Sequence, residues 1–339
     1  MTSRERVIAA IEFKGPDRIP HLHAALPAAF KAHPHLPELY CRFPSDFSGQ
    51  NGQAPALTKE HLVGEYCDEW GCTWTVLREG FLGQVTRHPL ADLRNLREYH
   101  FPVVKPRENI APIGDNRYHM ASGGTLYERM IDLCGFENLH LELAAGNPDI
   151  LKIRDNIVEY NIANIREQLK SNPDCIAFSD DWGTQLSLTI SPAMWKEFFL
   201  PAYRPQFTLI QEAGKHIYFH SDGVTIDILP YLVKAGVNLF WVDLTVNSLD
   251  RLHRELGGKV CFVGLTDVQF LRPKGSQEDV RRHGKDLIAA LGCFNGGFIA
   301  CSEINSDQPW ENVVAILETF HEFGSYPLRL RWDQKKSRP

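Results

Sequence analysis

The second half of the chain alternates short apolar runs with amphipathic stretches. Runs at 175–179, 217–219, 239–242, 260–264 and 298–300 are too short for buried helices and too continuously apolar for strands with one wet face. Strands of a parallel sheet covered by helices read this way, because both faces are buried. Each run stops at polar residues: Asp180-Asp181, His220-Ser221-Asp222, Asp243, Thr266-Asp267 and Cys301-Ser302-Glu303. Between the runs, apolar residues recur at helical spacing, as in Ile226, Leu229, Leu232 and Val233. Candidate strands near 19, 65 and 118 bring the count to eight. The pattern predicts a single (β/α)8 TIM barrel whose polar groups gather at the carboxyl ends of its strands, the rim where such barrels bind ligands.

The first half is less regular. A helix capped by Thr2 or Ser3 carries Val7, Ile8 and Ile11 and breaks at Gly15-Pro16-Asp17. Residues 26–60 hold many prolines and no period, which predicts an irregular segment over the barrel mouth. A hairpin is expected from 74–77 and 84–86, turning near Gly80. Asn147 as cap and Pro148 at the first helical position open a long helix with Ile150, Ile153, Ile157, Val158, Ile162, Ile165 and Leu169 along one face. Nothing from 105 to 325 reads as a linker, so one domain is expected over 1–330, with an insertion at about 26–105 and a polar tail at 331–339. An open doubly wound sheet competes with the barrel, but no GxGxxG or GxxxxGK[ST] motif follows an expected strand.

Composition narrows the partners. Net charge is −6 over 339 residues, and no basic block occurs beyond 335–338, which argues against nucleic acid and membrane surfaces. No apolar run reaches the roughly 18 residues of a membrane span, and the amino terminus does not read as a secretory signal. Eight cysteines without a CxxC pair read as free thiols in a reducing compartment, so a cytoplasmic location is expected. Oligomeric state is not legible, and a homo-oligomer stays open.

Several residues could carry chemistry, each with a plainer alternative. His220 and Asp222 either offer ligand atoms at a strand end or cap the next helix. Asp181 suits a proton donor, an orienting group or a cap. Asp68 sits in a stretch with Glu65 and Glu69, where carboxylates repel unless a cation or solvent separates them. Tyr127, Trp182 and Trp241 either line an apolar pocket or fill the core.

Ser3-Arg4-Glu5-Arg6-Val7, Pro16-Asp17-Arg18-Ile19-Pro20, Asp181-Trp182-Gly183-Thr184-Gln185, Ile190-Ser191-Pro192, His220-Ser221-Asp222-Gly223 and Pro309-Trp310-Glu311-Asn312 occur in an order that resembles the uroporphyrinogen decarboxylase superfamily over nearly the whole chain. That superfamily contains the decarboxylase of haem synthesis and zinc-dependent methyltransferases that act with corrinoid proteins. The decarboxylase carries an Arg-Gln-Ala-Gly-Arg segment after its first strand, whose arginines bind substrate carboxylates. Residues 21–26 here read His-Leu-His-Ala-Ala-Leu, with no guanidinium to hold them.

The methyltransferases hold zinc through His-x-Cys after the fifth strand and a Cys after the eighth. Resemblance to them implies a metal set of His220, Asp222 and Cys301, with Glu303 in reserve and Asp for Cys as the departure. Carboxylate in place of thiolate makes the ion a harder Lewis acid, suited to an ether oxygen. The implied function is methyl transfer from a small methylated donor, an aromatic methyl ether, to a corrinoid carried by a partner protein. Asp181 and His220 are then the catalytic candidates, and Asp68, Tyr127, Trp182 and Trp241 the substrate contacts. Two alternatives remain: a metal-independent decarboxylase or lyase using Asp181, Asp68 and His220, and a non-catalytic barrel that binds a corrinoid or a partner.

Overall fold

A computed structural model of the chain describes residues 1–49, 52–108, 110, 114–264, 267 and 269–333. Thr266 and the tail from 334 onward, both singled out above, lie outside the described residues. The strands are β1 (His21–Ala25), β2 (Gly64–Cys67), β3 (Thr73–Val76), β4 (Gln84–Arg87), β5 (Met120–Gly124), β6 (Cys175–Ser179), β7 (His216–Ser221), β8 (Leu239–Val242), β9 (Cys261–Gly264) and β10 (Phe298–Ile304). Seven of them form one parallel sheet in the order β1-β10-β9-β8-β7-β6-β5.

Alternation along these strands sorts the side chains into two layers. Leu22, Tyr118, Cys175, Tyr218, Leu239, Cys261, Val263, Ile299 and Cys301 pack together inside the curl of the sheet. Ile176, Phe178, Ile217, Phe219, Phe240, Phe262 and Phe298 belong to the outer cluster, shared with the helices. Both faces are therefore dry, which is why the runs read as continuously apolar.

The barrel differs from the expected eight strands. The strand near 65 is β2, which pairs antiparallel with β3, and β3 with β4, in a separate three-stranded sheet. Its residues are exposed or half-buried, and a strand carrying Glu65 on a wet surface cannot serve as a doubly buried stave. Between the edges β1 and β5 lies instead a short extended segment around Phe47. Asp46 N donates to His21 O at 2.8 Å, while Tyr118 N donates to Asp46 O and Ser48 N to Tyr118 O at 2.9 and 3.0 Å. The buried Asp46 carboxylate accepts from Arg6 at 2.7 Å and from Arg18 and His21 N at 2.8 Å. An ion-paired bridge thus occupies the place of a strand.

The proline-rich segment also proved more regular than expected. Pro27 and Pro37 sit in the first turns of helices Pro27–Ala32 and Leu36–Arg42, where a missing N–H costs nothing. These helices pack Ala29, Phe30, Leu36, Leu39 and Tyr40 against Ile304, Val313 and Leu317. The long helix runs Pro148–Leu169 with Asn147 as its cap, and Thr2 caps the first helix, Ser3–Ile11, in a capping box with Glu5. No described helix is long and apolar enough to cross a membrane.

Candidate metal centre

Inward-facing positions at the carboxyl ends of the strands build the site. On β7, His220 continues the inward set of Tyr218, with Ser179 of β6 and Trp241 of β8 as its register partners. Asp222 follows directly after the strand. Asp181 arrives on the loop after β6, which crosses the loop after β7 at backbone contact. Gly183 N donates to Asp222 O, Asp222 N to Asp181 Oδ1, and Val224 N to Thr184 O. A Cβ on Gly183 would stand within 2.6 Å of main-chain atoms of Asp222, Gly223 and Val224, so only glycine permits the crossing. The β8 end holds the same loop from the other side. Asp243 accepts from Gly223 N, and Asn247 accepts from Thr225 N and Ile226 N while donating to Gly223 O.

Three ligand atoms converge. His220 Nε2 stands 3.5 Å from Asp181 Oδ1 and 3.6 Å from Asp222 Oδ1. Among the described residues these three side chains are the group of His, Cys, Asp and Glu able to hold one cation. Donors bound to a tetrahedral zinc at about 2.0–2.2 Å stand roughly 3.4 Å apart, close to both separations from His220, and all three ligand atoms lie within 4.8 Å of one another. Among the described residues, His220 Nδ1 is buried with no hydrogen-bond partner, and the ring meets Trp241 edge to face.

Negative charge surrounds the cluster. Burial, followed by the carboxylates of Asp181, Asp243 and Glu303, pushes Asp222 above the usual carboxylate range, while His220 pulls the other way. Behind it, Asp180 is fully buried and held at about 7, burial outweighing the Tyr203 hydroxyl and the N–H groups of Leu126 and Glu128 that it accepts from. Glu128 is raised by burial and by Asp180 and Asp181. A divalent cation would relieve this repulsion, as would protons.

The other candidates fall in different places. Trp241 lines a cavity of about 440 Å3 with Met120, Phe178, Tyr218, His220, Asp222 and Glu303. Tyr127 and Trp182 are fully buried behind the site, stacked at 3.9 Å, with their polar atoms bonded to Thr189 and Tyr203. They are core rather than cavity wall. Asp68 organises the turn between β2 and β3: it accepts from the N–H groups of Trp70 and Cys72, the Trp74 indole and Arg129. It lines a separate hollow with Tyr66, Trp74 and Arg129.

Cys301 does not join the metal group, and Asp181 takes the place expected for it. Strand β10 runs to Ile304, four residues beyond the apolar run, so Cys301 is an interior stave residue paired with Leu22 and fully buried. Glu303, two residues on, is the inward side chain that reaches the cavity. Asp181 was read above as an acid or orienter. The signal for its place beside His220 was its position, two residues past a strand neighbouring β7, in a loop whose glycine meets another loop. Asn247 carried no sequence signal.

The family model described as uroporphyrinogen decarboxylase (URO-D) matches residues 125–323. Among solved structures, a methyltransferase from Methanosarcina mazei is similar at a TM-score of 0.67 and 15% identity, covering 95% of this chain and 99% of that one. Dihydropteroate synthases from Xanthomonas albilineans (TM-score 0.35, 12% identity, 60% and 67% covered) and Coxiella burnetii (0.35, 11%, 61% and 68%) overlap too little to carry an argument. No curated protein matches the chain in sequence.

Proposed function

The chain belongs to the uroporphyrinogen decarboxylase family, and we propose that it works as a methyltransferase, taking a methyl group from a small aromatic methyl ether for a corrinoid carried by a partner protein. The observation that carries the reading is the convergence of Asp181, His220 and Asp222 beside a cavity walled by Tyr218 and Trp241. A zinc ion on these three residues would supply a Lewis acid for the ether oxygen, harder than one held by thiolates. The residues themselves do the rest. Tyr218, Trp241 and Met120 give an aromatic ring apolar walls, and Asp243, Asn247, Gly183 and Gly223 hold the ligand-bearing loops in place. Decarboxylation of a porphyrinogen is disfavoured, since the described residues of the cavity lining include no Lys or Arg and 21–25 forms β1 without a guanidinium.

The test combines metal and turnover. Zinc-loaded protein mixed with a reduced corrinoid acceptor and candidate methyl ethers is expected to release the free phenol, and His220→Ala is expected to lose both zinc and product. Demethylation at an unchanged rate by metal-stripped protein would refute the proposal.

A further inference from the structure

We propose that Glu303 selects the methyl donor, favouring a neutral ring that bears a hydroxyl beside its methyl ether and rejecting rings that carry a carboxylate. This deepens the methyl-ether reading and rests on it. The cavity volume of about 440 Å3 suits a single substituted ring, and Met120, Tyr218 and Trp241 supply its apolar walls. Glu303 enters from β10, three strands from β7 in the order of the sheet.

Its carboxylate makes no hydrogen bond or ion pair with a described residue, whereas the neighbouring acids are engaged. Asp181 accepts from Asp222 N and Asp243 from Gly223 N. Arg272, buried nearby, attracts the Glu303 carboxylate through its charge, but its hydrogen bonds go to the Glu303 main-chain carbonyl and, at 3.0 Å, to Gln308 Oε1. A half-buried carboxylate without a donor of its own is costly unless water or a ligand provides one. A phenolic hydroxyl provides it through a charge-assisted hydrogen bond. A ring carboxylate would instead bring like charge to a cavity that already holds Glu303 and Asp222 and has no Lys or Arg among the described residues of its lining.

The experiment is calorimetric binding of 2-methoxyphenol, methoxybenzene and 4-hydroxy-3-methoxybenzoate to zinc-loaded wild type, Glu303→Gln and Glu303→Leu, with zinc content and melting recorded for each. Wild type is expected to bind 2-methoxyphenol about tenfold or more tighter than either other ring. Glu303→Leu should erase the preference over methoxybenzene, and Glu303→Gln should recover most of the loss for the benzoate, both variants keeping their zinc. Equal binding of the three rings by wild type, binding of none, discrimination that survives both substitutions, or loss of zinc in both would each overturn the assignment. Because binding is read without turnover, a ring that binds as expected but keeps its methyl group would count against the methyltransferase reading alone.

Discussion

His220, Asp222 and Asp181 share a site because each sits at or just past the end of a neighbouring strand, whereas Cys301 is fully buried within β10, two residues before Glu303, which reaches the cavity. The difference sets opposite expectations for substitution. His220→Ala and Asp222→Asn should weaken zinc binding by more than about 100-fold, beyond the range typical of outer-shell changes. Cys301→Ser should leave zinc binding near wild type yet lower stability by about 1–3 kcal/mol, since it buries a hydroxyl among apolar side chains. Zinc titration and melting curves on the three variants check both. In the sequence, His220 and Asp222 were legible as strand-end donors. Cys301 was misplaced because an apolar run marks where a strand is buried and not where its hydrogen bonding stops.

A second expectation at this scale concerns His23. Its ring lies between Ser302 and the Phe43 carbonyl, stacked on Tyr40, and burial holds its pKa down to about 4 from 6.5 against the pull of that carbonyl. The unfolded chain therefore takes up this proton first as pH falls. The contribution is complete above about pH 6.5 and is lost progressively down to about 4, with a limiting slope of roughly 1.4 kcal/mol per pH unit. The melting temperature of His23→Gln should consequently decline less steeply than that of wild type between about pH 6.5 and 4.5.

At the scale of elements, the crossing of the loops after β6 and β7 aims the two acids. Asp181-Trp182-Gly183 and Asp222-Gly223 were visible as motifs, but their contact was not, because residues forty apart meet only when their strands pair. Gly183→Ala places a Cβ into main-chain atoms that no rotamer change can move. The expected result is a stability loss of about 1–3 kcal/mol together with at least a tenfold drop in zinc affinity, measured by melting and titration. A variant with normal zinc affinity would show that the loops can separate without disturbing the ligands. The three-stranded sheet makes a similar point: its hairpin turned where expected, near Gly80, but strand β2 pairs within it and not with the barrel.

For the whole molecule, the decisive feature is the seam. β1 and β5 are joined through the segment around Phe47, and Asp46 is the buried anion that ties this segment to Arg6, Arg18 and the start of β1. Asp46→Asn should leave Arg18 without its carboxylate and Arg6 with Asp17 alone, costing about 2–4 kcal/mol and roughly 3–6 °C of melting temperature. The seam lies at the amino ends of the strands, opposite the cavity, so zinc affinity of the folded variant should be unchanged when measured well below its melting point.

The parallel sheet, the helices between its strands and the long helix from Pro148 were determined by the sequence alone, because double burial and the helical period are local patterns of apolar residues. The gathering of polar groups at one rim followed from the same alternation. Long-range pairing set the rest: the place of an eighth strand is taken by an ion-paired bridge, Asp181 and not Cys301 lies beside His220, and the Glu303 carboxylate faces the cavity without a hydrogen bond to a described residue. Each of these depends on pairing between segments far apart in the chain, where register, not composition, sets which side chain meets which.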